Sequence, residues 1–187
     1  MVKLLLDTGK AEIHETTSDG WTPLLLAVRS GQTAVVKLLL DTGKIDVNET
    51  TTDGWTPLLQ AAQNGREAVV KQLLDTNKVD VNAATSTGST PLSWAAQKGY
   101  KAIVKLLLDT GRADVDMKTM DGSTPLLWAA QSGHEAVVKL LLDTNKVDVN
   151  ANTIDGWTPL FCVMWNGHEA VVKLLQTQES PFATSLY

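Results

Sequence analysis

Side chains able to make or break bonds are few in this sequence, and their spacing does not bring them together. Of the three histidines, His134 and His168 each follow a glycine and precede a glutamate, with no second histidine four residues on. The paired-histidine helix of a zinc protease is therefore absent. Both are expected at helix starts, hydrogen-bonded locally. His14 stands apart from them. Cys162 is the single cysteine, which excludes an internal disulfide and a cysteine zinc cluster and suits a reducing compartment. It is expected to be a buried structural thiol within a helix. Gly9-Lys10 and Gly43-Lys44 lack the spacing and the following hydroxyl of a phosphate loop. Asn48-Glu49-Thr50 fits a glycosylation acceptor, but the opening Met1-Val2-Lys3-Leu4-Leu5-Leu6-Asp7 is too short an apolar run for a secretory signal, so the acceptor is expected to go unused. Asp41, Asp75, Asp109 and Asp143 form a row. Set on neighbouring packed helices they would stand roughly 10 Å apart, too far to share a metal or a proton. No catalytic residue, metal site or cofactor is expected, and the chain is not expected to be an enzyme.

Charge and composition narrow the remaining classes. Sixteen basic against twenty-one acidic residues give a net charge of -5, against the lysine- and arginine-driven contacts of a nucleic-acid binder. No apolar run approaches the length of a membrane helix. Six of the ten aromatic residues are tryptophan, an unusual share.

These residues sit on a repeat. Gly-x-Thr-Pro-Leu recurs at Gly20, Gly54, Gly88, Gly122 and Gly156, each 34 residues after the last. A second glycine (Gly31, Gly65, Gly99, Gly133, Gly167) and an Asp-Thr pair (Asp7, Asp41, Asp75, Asp109, Asp143) keep the same step. Threonine caps a helix and proline suits its first position, so each Thr-Pro opens a first helix. The second glycine ends that helix about eight residues later in a left-handed conformation. A second helix follows, as in Ala34-Val35-Val36-Lys37-Leu38-Leu39-Leu40, with apolar residues three and four apart. Gln72 occupies the place of Leu38, so that position is expected to be peripheral. Glu67–Lys71, Glu135–Lys139 and Glu169–Lys173 are spaced to pair across one turn. A single unit has too few apolar side chains to fold alone, so neighbours must cover one another.

Asp53-Gly-Trp-Thr-Pro-Leu-Leu-Gln-Ala-Ala-Gln-Asn-Gly-Arg-Glu-Ala-Val-Val-Lys-Gln-Leu-Leu74 resembles an ankyrin repeat, and the resemblance extends over about residues 1 to 177. It implies an all-α fold, a solenoid of helix-turn-helix units with hairpin loops between them. Two features depart from the family pattern. The histidine after Thr-Pro-Leu is replaced by Leu25, Leu59, Ser93, Leu127 and Phe161, so an apolar contact is expected in place of imidazole bonds between repeats. The unit also has an extra residue within Asp41 to Asn48, expected as a longer turn after the second helix; this 34-residue variant resembles arrays in large fungal multidomain proteins. The expected units are a partial N-terminal repeat at 1-18, full repeats at 19-52, 53-86, 87-120 and 121-154, a cap-like repeat at 155-177 and an irregular tail at 178-187. Because residues 1–7 align with a second helix lacking its partner, the chain reads as a piece of a longer array.

Positions that differ between units are free to make a ligand surface. Three columns stand out: Trp21, Trp55, Ser89, Ser123, Trp157 before Thr-Pro; Leu26, Gln60, Trp94, Trp128, Cys162 in the first helix; and Arg29, Gln63, Gln97, Gln131, Trp165 a turn later. The resemblance implies that loop tips and first helices line a concave groove that grips partners, with all six tryptophans on or beside it. Trp21, Trp55 and Trp157 are expected to be exposed, while packing and binding are equally open for Trp94 and Trp128. The expectation is a non-catalytic, cytoplasmic scaffold that binds another protein or peptide through Trp21, Trp55, Trp94, Trp128, Trp157, Trp165, Arg29, Gln63, Gln97 and Gln131. Nucleic acid and membrane are not expected partners, and the bare N-terminal helix offers a face for self-association. The alternative is a spacer or spring array within a larger multidomain signalling protein.

Overall fold

The computed structural model describes residues 13–179, and every regular element among them is a helix. In chain order these are α1 (Pro23–Arg29), α2 (Thr33–Asp41), α3 (Pro57–Gln63), α4 (Glu67–Asp75), α5 (Pro91–Gln97), α6 (Lys101–Asp109), α7 (Pro125–Gln131), α8 (Glu135–Leu142), α9 (Pro159–Asn166) and α10 (Glu169–Glu179). The helix expected at residues 1–7, its self-association face and residues 180–187 of the expected tail lie outside the described residues.

Local chemistry starts and stops each helix. The hydroxyl oxygens of Thr22, Thr56, Thr90, Thr124 and Thr158 accept from the backbone N–H three residues on, at 3.1–3.3 Å. Thr90 adds a reciprocal bond, because Ser93 Oγ accepts from its N–H at 2.8 Å. At the far end of α1, Gly31 takes φ +68°, and Gln32 N–H reaches back to Ala27 O at 2.9 Å. That double-wound ending satisfies carbonyls the helix leaves open. The second helices α2, α4, α6 and α8 also end on a left-handed residue, Gly43, Asn77, Gly111 or Asn145, but there a threonine hydroxyl (Thr42, Thr76, Thr110, Thr144) donates to the carbonyl three residues back. Asparagine tolerates that region better than most side chains, so the longer turn recurs without glycine.

Like helices stack on like: α1, α3, α5, α7 and α9 form one row, and α2, α4, α6, α8 and α10 the other. The core runs continuously between the rows. Leu24, Leu58, Leu92 and Leu126 line it from the first, and Val36, Val70, Val104 and Val138 from the second. Alanines at 61, 62, 95, 96, 129 and 130 are fully buried and let the first helices approach closely.

The seams between units correct two expectations. His134 and His168 do not bond locally: Nε2 of each contacts the carbonyl of Gln97 or Gln131, at 3.0 and 3.1 Å, in the preceding unit. Their rings lie over Gly99 and Gly133, where an added Cβ would meet Nδ1 at 2.6 Å. Arg66 over Gly31 and Tyr100 over Gly65 hold the same position. The second glycine therefore ends a helix and also makes room for the next unit's side chain. Leu25, Leu59 and Leu127 are buried as the apolar replacement for the missing histidine. Gln72 is half-buried like Leu38, Leu106, Leu140 and Leu174 at the same place, but its Oε1 is fully covered without a donor. The Glu–Lys pairs do not close, and among the described residues the ion pair that forms is Lys105–Asp109 at 3.1 Å.

Candidate functional site

Each unit projects a hairpin ahead of its first helix. In the first described one, Thr17 N–H bonds to Trp21 O and Gly20 N–H to Thr17 O, with Gly20 at φ +77°. Neighbouring hairpins bond to one another through Thr52 N–H to Asp19 O (3.2 Å), Met120 N–H to Thr87 O and Ile154 N–H to Asp121 O (both 2.9 Å). The corresponding bond from Ser86 to Asp53 is missing. There the space over Gly54 opens to 3.9 Å, against 3.0–3.1 Å over Gly20, Gly88 and Gly122. A tryptophan pair accompanies the gap: Trp55 of the second hairpin lies 5.6 Å from Trp94 in the third unit.

The tryptophans gather along the face made by hairpins and first helices, but not as uniformly exposed rings. Trp21 and Trp55 are half-buried, and Trp157 is 40% exposed. Trp94 and Trp128 are half-buried, and Trp165 is 72% exposed. Arg29 sets its guanidinium carbon 4.2 Å over the Trp21 ring. Trp157, Phe161 and Trp165 form an open aromatic cluster, with centroids 5.3–6.5 Å apart. Trp128 has no ring partner among the described residues. Gln63 and Gln97 are half-buried and Gln131 exposed, while the backbone carbonyls of Arg29, Gln97 and Gln131 accept the seam bonds from Arg66, His134 and His168. At Arg29, Gln97 and Gln131 that column therefore serves the scaffold with its backbone carbonyl.

Between the third and fourth units a cleft of about 350 Å³ opens on this face, lined by Ser89, Trp94, Gln97, Met120, Asp121 and Trp128 among others. Met120 is exposed, and Trp94 Nε1 has no acceptor. Burial alone would raise the pKa of Asp121. Hydrogen bonds from Thr119 and Ser123 outweigh it and hold the carboxyl below its ordinary value. Sequence reasoning missed Asp121 and Met120. The signal that could have found them is the change from tryptophan to serine at position 89, which vacates a ring-sized space.

Nothing on this face is arranged for bond chemistry. No three of His, Cys, Asp and Glu gather around a metal position among the described residues. Cys162 is buried, and that burial pushes its thiol pKa up, away from a nucleophile's range. No helix of the described residues is long and apolar enough to cross a membrane.

A family model described as ankyrin repeats (3 copies) matches residues 1–85, 44–119 and 111–183. No curated protein matches the chain.

Proposed function

Because the chain belongs to the ankyrin-repeat family, whose members generally bind other proteins and are typically not enzymes, we propose that it is a non-catalytic module gripping a protein or peptide along its tryptophan-lined face. The observation that carries this reading is the open ring cluster of Trp157, Phe161 and Trp165, on the same face of hairpins and first helices as the half-buried Trp128 and Trp94. A contiguous exposed apolar surface on a folded chain marks a contact site, and tryptophan concentrates binding energy by offering a large rigid face with one donor. Arg29, Gln63, Gln97 and Gln131 supply polar contacts beside the rings. A cytoplasmic scaffold is the setting this reading adopts, consistent with a lone cysteine that is kept buried.

The test replaces Trp157 and Trp165 with alanine together. Trp165 is largely exposed and Trp157 packs mainly within the ring cluster, so melting temperature should fall by no more than a few degrees, while affinity for a partner identified by crosslinking falls about tenfold or more. Unchanged affinity in the folded double variant would refute the groove. The spacer reading rests on the missing hairpin bond between Ser86 and Asp53. It calls for first rupture between the second and third units when the array is pulled from both ends.

A further inference from the structure

We propose that the cleft between the third and fourth units receives an arginine side chain of the partner, laid flat on Trp128 and facing Asp121. The inference rests on the groove reading and names the chemistry of one of its contacts.

The repeat itself supplies the comparison. At the seam of the second and third units, the hairpin indole of Trp55 packs against Trp94, with centroids 5.6 Å apart and planes tilted by 35°. One unit on, Trp94 becomes Trp128 and Trp55 becomes Ser89, so a ring is exchanged for a hydroxymethyl and the cleft stands in its place. An occupant that restores this packing is planar and lies against an indole face. The lining changes at the same step: the hairpin place that Thr87 holds in the third unit is Asp121 in the fourth, which brings a carboxylate to the cleft. A planar group that also answers a carboxylate is a guanidinium, which stacks on aromatic faces and offers paired donors to the acid. The molecule already makes half of this contact, with Arg29 4.2 Å over Trp21 on the same face. The net charge of -5 favours a basic partner over an acidic one. The volume of about 350 Å³, at the small end of ligand pockets, leaves room for an arginine side chain.

The probe is a phage-displayed library of random linear peptides, selected on the folded protein. Selected peptides should be enriched in arginine above lysine. They should bind about tenfold more weakly to Asp121→Asn, weaken with rising salt, and bind Asp53→Asn normally. Ser89→Trp is the second variant; the second unit accommodates an indole at that position, so the fold should tolerate it, and it should close the cleft and abolish the arginine preference. Melting curves establish that both variants are folded. Peptides that depend on Trp157 and Trp165 but are rich in phenylalanine or tyrosine, or indifferent to Asp121→Asn and Ser89→Trp, overturn the arginine assignment and leave the groove standing. Failure to select any peptide overturns both.

Discussion

Replacing Asp116 with asparagine should stabilise the array, and the loop ladder shows why. Asn48 receives Asp80 N–H on Oδ1 at 2.8 Å and donates Nδ2–H to Lys78 O at 3.0 Å. Asn82 repeats both bonds, with Asp114 N–H (2.9 Å) and Arg112 O (3.0 Å). At the next step the residue is Asp116. Its Oδ2 accepts from Asp148 N–H at 2.9 Å, but Oδ1 is buried without a partner. The 34-residue translation puts the Lys146 carbonyl opposite it, where Lys78 and Arg112 accept. Two acceptors then face each other. Asparagine would supply the missing donor, worth about 1 kcal/mol as a net hydrogen bond, and remove a partly desolvated charge for a similar amount. A gain of about 1–2 kcal/mol corresponds to roughly 3–6 °C in melting temperature for a chain of this size. The dependence on pH carries its own sign. Burial, first, with the neighbouring carboxylates Asp148 and Asp114, raises the Asp116 pKa above 3.8. A raised folded pKa means that stability from protonated Asp116 is present at low pH and lost as pH rises through it. Once protonated, the carboxyl can donate as asparagine does. The advantage of Asp116→Asn should therefore be full at pH 7 and shrink as pH falls through the carboxylate range. Urea melts of both proteins at pH 7 and pH 4 measure it, and the other titrating groups cancel in the difference. Equal stability at pH 7, or the same advantage at pH 4, would refute the ladder argument.

Two further substitutions probe the seams. Gly43→Ala and Gly99→Ala both place a side chain at positive φ, +67° and +71°, which costs about 1–2 kcal/mol. Only Gly99→Ala also drives a methyl to 2.6 Å from the His134 ring, so it should lose at least about 1 kcal/mol more in thermal melts; equal losses would mean that the seam yields freely. Gln72→Leu restores the residue type of Leu38, Leu106, Leu140 and Leu174 and removes a buried acceptor with no donor. It should raise stability by about 1 kcal/mol, and a lower urea midpoint would show that the amide has a role the packing does not reveal.

The legible parts of this chain are those decided within a few residues. Thr22 caps α1 because its hydroxyl oxygen reaches an N–H three positions on, and Gly31 ends it because its own φ permits the turn. The burial of Leu25 and Leu127 followed from their place in the repeat. His134 was misread for the complementary reason. Its neighbours in sequence suggested a local bond, while its partner, Gln97, is 37 residues away. The Glu–Lys pairs were spaced correctly, yet exposed side chains gain too little from pairing to be held together. Trp21 and Trp55 were expected to be exposed and are half-buried. Arg29 and Trp94 cover them, and neither contact can be read from a column of single-unit positions.

From sequence alone came the helices, their caps and the 34-residue step, since hydrogen bonds over three to five residues and a repeated apolar face decide them. Stacking decided the rest. Which indole covers which, where a cleft remains beside Ser89, and whether Asp116 finds a donor all depend on the rotation and offset between successive units. Those offsets are set by close packing at the seams, where a ring lies over a glycine or an indole packs against an indole.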